Sequence, residues 1–155
     1  SCTKQRTGHP SSHGTFERER IVTTAEPKFL MIEGAPQPVA PFSHIVECDG
    51  WCFLTGQMPT DPDDPDKPLP QGIEAQTRRV MDNLAIVLKG AGLDLSHVVQ
   101  ARVYLRDFGR DYAAMNETYK SYFKEGRLPA RTCVGVTDMA VGALVEIDMV
   151  ARRPA

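Results

Sequence analysis

The sequence predicts a single α+β domain, with two helices covering one face of a mostly antiparallel sheet. The chain has 155 residues, which fits one domain of ordinary size. Two segments repeat apolar residues at helical spacing, and several shorter segments alternate apolar and polar residues as strands do. Their order along the chain is strand, strand, helix, strand, helix, strand, strand. This order predicts one sheet with both helices packed on the same side.

A polar segment of residues 1–20 precedes the domain, which we predict to span residues 21–153. The segment has no hydrophobic period and lacks the apolar stretch of a secretory signal. His9 and His13 lie in it, and a loose tail explains them better than a metal site does. The domain itself is expected to begin with a short strand at residues 21–24.

The first predicted hairpin turns at Asp49-Gly50, a residue pair strongly favoured in two-residue hairpin turns. Residues 42–46 form the strand before this turn, and residues 51–55 form the strand after it, which ends at Gly56. The loop at residues 61–70 is rich in proline and aspartate. Its aspartates do not follow the spacing of an EF-hand, so a solvated acidic loop is favoured over a calcium site.

Two helices flank the next predicted strand. The first spans residues 73–90, because apolar residues recur on one stripe and glycines follow them. The strand spans residues 98–106, with alternate residues from Val99 to Leu105 on one apolar face. The second helix spans residues 110–124, and its aromatic stripe predicts core packing rather than a cofactor site. The first stripe comprises Ile73, Val80, Leu84, Val87 and Leu88, and the second comprises Tyr112, Met115, Tyr119, Tyr122 and Phe123.

Residues 128–152 contain two runs that predict a final pair of strands. Arg131 and Cys133 share one face of the first run, and Glu146 and Asp148 share one face of the second. The opposite faces carry Thr132, Val134 and Val136, and Val145, Ile147 and Met149. If these more apolar faces cover one core, the cation, the thiol and the two carboxylates project together from the other side.

Two interpretations of this polar face are open. In the first it is a solvated sheet face with an Arg–Glu pair, which contributes only ~0–1 kcal/mol when exposed. In the second it is an anion site, because the planar fork of Arg131 matches a carboxylate and Glu146 could position or activate water. Alternation alone does not choose between them.

Composition and charge exclude several classes of protein. The net charge of −2 and the sequence pI of about 6.1 give no electrostatic support for nucleic-acid binding. The apolar runs are too short to span a membrane. Cys2, Cys48, Cys52 and Cys133 do not follow a zinc-site spacing, so we interpret them as thiols in a reducing compartment and expect a cytoplasmic protein. Arg131 would favour the thiolate of Cys133, whereas burial would oppose it.

Five stretches, in order, resemble the RidA family, the reactive-intermediate imine deaminases also called YjgF-like proteins. They cover about residues 41–152. They are Pro41-Phe42-Ser43; Thr55-Gly56-Gln57-Met58-Pro59; Asp82-Asn83-Leu84 with Gly90-Ala91-Gly92-Leu93; Asn116-Glu117-Thr118-Tyr119 with Phe123; and Leu128-Pro129-Ala130-Arg131-Thr132-Cys133-Val134 followed by Val145-Glu146-Ile147-Asp148. Each stretch is weak alone, but five in the family's order are specific.

The resemblance implies a chorismate-mutase-like fold and a homotrimer with sites between subunits. It implies hydrolysis of 2-imino acids, or their enamine tautomers, to 2-oxo acids and ammonia, without a metal or organic cofactor. Arg131 would then hold the substrate carboxylate, and Glu146 would hold or deprotonate the attacking water. The substrate-binding residues that the resemblance adds are Phe42, Thr55, Gly56, Asn116 and Cys133.

Phe42 departs from the pattern of many imine-deaminating members, which have Tyr at that position. Phenylalanine keeps the ring but removes a hydroxyl that would join the water network. Two alternatives to a 2-imino acid deaminase therefore stay open. One is a specialised family deaminase that acts on 2-aminomuconate or an aminoacrylate, and the other is a non-catalytic carboxylate-binding or regulatory protein.

Overall fold

The computed structural model describes residues 25–155, so the predicted strand at residues 21–24 and the two tail histidines lie outside the described residues. The described part is an α+β fold in which two helices pack on a six-stranded, mostly antiparallel sheet. This confirms the predicted fold class. The strands and helices are β1 Lys28–Leu30, β2 Ile45–Cys48, β3 Trp51–Gln57, α1 Ile73–Gly90, β4 Val98–Leu105, α2 Phe108–Lys120, β5 Ala130–Gly135 and β6 Val145–Arg152.

The sheet order is β1-β2-β3-β6-β4-β5. Every neighbouring pair is antiparallel except β4 and β5, which run parallel. The last two strands are consecutive along the chain, yet they are not bonded to each other, because β4 lies between them. β6 is therefore central, whereas β5 forms one edge of the sheet.

The hairpin between β2 and β3 turns where the sequence predicts it. Asp49 and Gly50 have φ values of 50° and 77°, so both central residues of the turn have positive φ. A two-residue hairpin with this geometry matches the twist of its strands, and it favours the Asp-Gly pair.

The hydrophobic core lies between the two helices and one face of the sheet. From α1, Val80, Leu84, Val87 and Leu88 are fully buried, as their spacing predicts, while Ile73 is only partly buried. From α2, Met115 and Tyr119 are buried. The sheet contributes side chains from its central strands, including Leu54, Ala101, Val103, Leu105, Val145, Ile147 and Met149.

Two packing predictions are wrong. Val99 is exposed and Val98 is buried instead, because the pairing of β4 with β6 shifts between Val98 and Gln100. Such a shift in register moves the side chains of the residues before it to the opposite face of the sheet. Tyr112 was expected in the core, but it is 37% exposed and its ring stacks on Phe108 at 4.5 Å.

The second helix is shorter than predicted. It begins at Phe108, because the side chain of Asp107 accepts a hydrogen bond from the backbone N–H of Arg110 and so caps the helix. It ends at Lys120, and the next residues continue as turns. Among the described residues, neither α1 nor α2 combines the length and apolar character needed to cross a membrane.

Candidate active site

The sheet places Arg131 and Glu146 on opposite faces. Arg131 of β5 pairs with Ala101 of β4, whose side chain is buried under the helices. Glu146 of β6 pairs with Tyr104 of β4. Paired residues on neighbouring strands share a face, whereas residues an odd number of positions apart along one strand do not. Arg131 therefore lies on the helix side of the sheet, and Glu146 lies on the side that no described helix covers.

The expectation that Arg131, Cys133, Glu146 and Asp148 project from one side is therefore wrong. It assumed that the more apolar face of each strand covers the core. In β5 that face points away from the helices, and its Val134 is 42% exposed. β5 is an edge strand, and the helices cover the Arg131 face of this strand only in part. The long polar side chain of Arg131 therefore fits on that face.

On the helix side, Arg131 lies against aromatic side chains of α2. The centre of its guanidinium is 4.9 Å from the ring centroid of Tyr119 and 6.0 Å from that of Tyr112. Among the described residues Arg131 makes no ion pair. It borders a cavity of about 260 Å³, here called the Arg131 cavity, which is lined by Asn116, Tyr119, Lys120, Leu128, Pro129 and Arg131.

Two buried polar atoms of the same cavity lack a hydrogen-bond partner among the described residues. They are the Oδ1 atom of Asn116 and the hydroxyl oxygen of Tyr119. Burial raises the pKa of Tyr119 to about 12, against a smaller opposing effect of Arg131, so the hydroxyl keeps its proton. Unpaired buried polar atoms are uncommon in folded proteins, and each calls for an explanation.

Cys133 lies on the same side and packs against the core. Burial raises the pKa of its thiol, and the nearby Arg131 opposes this effect without overcoming it. The sequence left the two effects undecided, and in the structure burial is the larger. Cys133 is therefore a protonated thiol at neutral pH rather than a thiolate.

On the uncovered side, Glu146 borders a second cavity of about 320 Å³, here called the Glu146 cavity. Its wall includes Gly56, Tyr104, Asp138, Met139, Glu146 and Asp148. The pKa of Glu146 is raised, mainly because the carboxyl group is partly buried and secondly because Asp148 is near. A carboxylate with a raised pKa is a better proton acceptor than an ordinary glutamate.

The charge of Asp148 is balanced within the sheet. Arg102 donates hydrogen bonds to both of its oxygens, from Nε to Oδ1 at 2.9 Å and to Oδ2 at 3.1 Å, and from Nη2 to Oδ2 at 2.8 Å. This forked pair fixes the orientation of Asp148. No described cation pairs with Glu146, so its carboxylate stays available to a ligand or to water.

Glycine at position 56 makes room for the carboxylate of Glu146. A Cβ atom at this position would collide with Oε1 of Glu146. Gly56 and Thr55 lie where the pairing of β3 with β6 shifts between Leu54 and Gln57. Irregular pairing of this kind often occurs beside active sites, because it changes the direction of nearby groups.

Phe42 lies in the loop before β2 and lines a narrow cleft together with Gly56 and Met58. A buried histidine, His44, holds this loop. Its Nδ1 accepts a hydrogen bond from the backbone N–H of Ile32 at 2.8 Å, so Nε2 carries the proton and donates to the carbonyl of Pro36 at 2.9 Å.

The comparisons with known proteins agree with this fold. A family model described as Endoribonuclease L-PSP matches residues 32–153. The chain belongs to this family, the RidA (YjgF) family. Its fold accordingly matches solved YjgF and Rid structures and is chorismate-mutase-like.

Several relatives of this RidA family member are similar over most of their length. A 2-iminobutanoate/2-iminopropanoate deaminase of Mus musculus is 35% identical over 124 residues, which are 80% of this chain and 90% of that protein. A RutC family protein of Pyrococcus horikoshii is 37% identical over 80% of this chain and 96% of that protein. Protein DfrA of Myxococcus xanthus is 42% identical over 80% of this chain and 94% of that protein.

Solved structures show the same likeness. The yeast protein YEO7 is 29% identical, with a TM-score of 0.77 over 83% of this chain and all of that chain. The YjgF gene product of E. coli is 29% identical, with a TM-score of 0.74 over 82% of this chain and 99% of that chain.

The site residues predicted for this RidA family member thus fall into two groups. Arg131 and Asn116 border the Arg131 cavity, and Cys133 lies on the same face. Glu146 and Gly56 border the Glu146 cavity, with Phe42 beside Gly56. Tyr104, Asp138 and Tyr119 were not predicted as site residues. The signal for Tyr119 is the Asn116-Glu117-Thr118-Tyr119 motif of α2, and nothing in the sequence pointed to Tyr104 or Asp138.

Proposed function

We propose that this protein is a hydrolytic deaminase, which converts 2-imino acids or their enamine tautomers into 2-oxo acids and ammonia. The observation that carries the proposal is the pair of incomplete sites on opposite faces of one sheet. Among residues 25–155, Arg131 of one site pairs with no anion, and Glu146 of the other site pairs with no cation. The name of the mouse relative, a 2-iminobutanoate/2-iminopropanoate deaminase, supports this choice of reaction.

Arg131 is the proposed anchor for the substrate carboxylate. Its guanidinium carbon lies over the ring of Tyr119, 4.9 Å from the centroid, and a cation–π contact of this kind does not occupy the hydrogen-bond donors. The fork is therefore free to hold both oxygens of a carboxylate. Partial burial strengthens this contact relative to one in open water.

Glu146 is the proposed base for water. Water adds to the C=N carbon of the iminium while Glu146 takes one of its protons, which gives a carbinolamine. Glu146 then returns the proton to the nitrogen, and the C–N bond breaks. Glu146 takes the proton of the hydroxyl as the 2-oxo group forms, and it passes this proton to the departing ammonia, which leaves as ammonium. The raised pKa of Glu146 suits a group that both takes and gives a proton.

A complete site needs two copies of the chain. Because Arg131 and Glu146 lie on different surfaces, joining one to the other across copies is a head-to-tail contact, and such contacts form a ring when the rotation between copies closes. The family resemblance puts the number at three, so we propose a homotrimer. The uncovered sheet face supports the association, since it exposes Phe29, Trp51 and Phe53 in the single protomer.

The Glu146 cavity also limits the substrate. It holds Asp138 and Asp148 besides Glu146, and Arg102 balances only the charge of Asp148. A second carboxylate on the substrate would meet like charges there, which opposes 2-aminomuconate. A small monocarboxylic imine meets no such repulsion, and this favours the substrates named for the mouse relative.

One observation favours a second candidate function, a carboxylate-binding protein without catalysis. Phe42 lies beside Gly56 and supplies no hydroxyl to order water. The deciding experiment generates 2-iminopropanoate or 2-iminobutanoate in situ with an amino-acid oxidase and measures 2-oxo acid formation. Acceleration in proportion to protein concentration supports the deaminase, and a rate equal to the uncatalysed background supports the binding protein.

A further inference from the structure

Tyr119 lines the Arg131 cavity, although helical spacing predicts only a core role for it. It lies in α2 and is 4% exposed. Its ring supports the guanidinium of Arg131 at 4.9 Å, and the residue itself lines the cavity. Both the ring and the hydroxyl therefore belong to the surroundings of the proposed carboxylate site.

The ring fixes Arg131 without consuming its hydrogen bonds. An acidic partner would hold the guanidinium equally well, but it would compete with a bound carboxylate for the same donors. An aromatic face holds the cation through its π electrons and leaves the planar fork free. The stack also limits the rotamers that Arg131 adopts before a ligand arrives, which lowers the entropic cost of binding.

The hydroxyl of Tyr119 has no partner among the described residues. It is closed to bulk water, so only a group that enters the cavity can satisfy it. Burial keeps it protonated and therefore able to donate a hydrogen bond. The neighbouring Oδ1 atom of Asn116, one helical turn earlier, is also unpaired and accepts hydrogen bonds. Together these groups match a ligand that carries a carboxylate beside an N–H group.

Tyr122 provides the contrast within the same part of the chain. Its hydroxyl donates to Asp82 at 3.0 Å and lies 3.3 Å from the carbonyl oxygen of Arg78. It lies outside the Arg131 cavity. The hydroxyl of Tyr122 thus joins the turn after α2 to α1. The buried hydroxyl of Tyr119 has no such partner among the described residues, so it opposes folding.

We infer that Tyr119 is a substrate-binding residue: its ring holds Arg131 in place, and its hydroxyl donates a hydrogen bond to the carboxylate that Arg131 grips. The inference rests on the proposed function for the identity of the ligand, a small monocarboxylic acid. It assigns the substrate carboxylate two anchors on the same protomer.

The test compares Tyr119→Phe, Tyr119→Leu and the matched control Tyr122→Phe. The probe is 2-oxobutanoate, and its dissociation constant is measured by calorimetric or NMR titration beside the thermal unfolding of each full-length variant. Tyr119→Phe is expected to weaken binding about 10-fold, because a hydrogen bond to a charged group is lost. Its melting temperature is expected to stay equal or rise, since an unsatisfied buried hydroxyl is removed.

The other two variants separate the ring from the hydroxyl. Tyr119→Leu is expected to weaken binding further than Tyr119→Phe, because Arg131 loses its stacking partner. Tyr122→Phe is expected to lower the melting temperature and to leave the dissociation constant unchanged, because it breaks the bond to Asp82. In the imine assay the substitutions at position 119 are expected to raise KM more than they lower kcat.

Several outcomes overturn the inference. If Tyr119→Phe binds 2-oxobutanoate as tightly as the wild-type protein, the hydroxyl does not belong to the site. If this variant loses stability and affinity in parallel, the role of the hydroxyl is structural. Absence of 2-oxobutanoate binding by the wild-type protein also overturns it. If the wild-type protein does not accelerate imine hydrolysis, yet Tyr119→Phe weakens 2-oxobutanoate binding at full stability, the proposed catalysis fails and the assignment of Tyr119 stands.

Discussion

The Arg131 cavity and the Glu146 cavity lie on opposite faces of one sheet, and they are built with opposite charges. The first has an unpaired guanidinium, an aromatic support and two unsatisfied buried atoms. The second has a carboxylate of raised pKa, a glycine that leaves space for it, and a neighbouring Asp148 balanced by Arg102. Each cavity lacks what the other offers. In the proposed function, binding and catalysis are divided between these two surfaces, and association of copies would bring them together.

The largest expected effect is on the Arg131 side. Arg131→Ala is expected to lower kcat/KM by at least about 100-fold, because the two hydrogen bonds to a carboxylate are lost. Thermal unfolding should change little, since no described acidic residue pairs with Arg131. A suitable control is Arg78→Ala, which removes an exposed arginine 3.9 Å from Glu74 and should leave kcat/KM unchanged. A wild-type kcat/KM in Arg131→Ala would mean that Arg131 does not anchor the substrate carboxylate.

The next effect tests whether the two cavities serve one reaction. Glu146→Gln is expected to lower kcat by about 100-fold while binding of 2-oxobutanoate persists, because the amide does not accept the proton of water. Mixing Arg131→Ala with Glu146→Gln copies after reversible dissociation should then restore activity. In a head-to-tail ring, about a quarter of the sites would receive both native residues. Mixed samples that stay inactive would mean that both residues act within one protomer, or in separate processes.

The sequence predicted the residues of the two cavities better than it predicted their geometry. The last two strands were located correctly, and the alternation within each strand was correct, since Val145, Ile147 and Met149 are buried. What failed was the relation between the strands. Alternation defines the two faces of one strand, but only the partners in the sheet decide which face meets the core. β4 lies between β5 and β6, and nothing local to either strand encodes that arrangement.

The same limit explains why Tyr119 and Tyr104 were not assigned to a site. Helical spacing predicted correctly that Tyr119 is buried. Spacing does not identify the residue of another element that its ring contacts, which is Arg131. Tyr104 lies on the strand face opposite Val103 and Leu105, and its position in the Glu146 cavity depends on the pairing with Glu146. Gly56 was suggested by its motif, and the structure adds the physical reason, which is the carboxylate that occupies the place of a side chain.

A smaller effect is expected from filling the space that Gly56 leaves. Gly56→Ala places a methyl group against Oε1 of Glu146 and must displace the carboxylate. We expect kcat to fall about 10-fold with little change in 2-oxobutanoate binding, because misplacing a catalytic group lowers the rate of the chemical step. Gly109→Ala in α2 is the matched control, since nothing lies within 4 Å of the added methyl group. Equal kinetics in the two variants would mean that Glu146 does not act from its observed position.

The smallest expected effect is on stability. Its dependence on pH distinguishes Glu146 from a carboxylate with a structural role. The pKa of Glu146 is raised in the folded protein, so the unfolded chain binds fewer protons than the folded one, and stability decreases as pH rises through this range. Glu146→Gln should therefore raise the melting temperature near neutral pH by about 1–3 °C, and the gain should vanish below the unfolded pKa of glutamate.

Glu47 is the matched control, because its pKa is shifted in the opposite direction. Arg153 lowers its pKa through two hydrogen bonds, so Glu47→Gln should cost stability at neutral pH and lose that cost as the solution is acidified. Thermal unfolding between about pH 3 and pH 8 measures both trends. If Glu146→Gln lost stability at neutral pH as Glu47→Gln does, then Glu146 would be a stabilising residue of the fold. Its carboxylate would then cost the fold no stability, and no catalytic role would be needed to explain it.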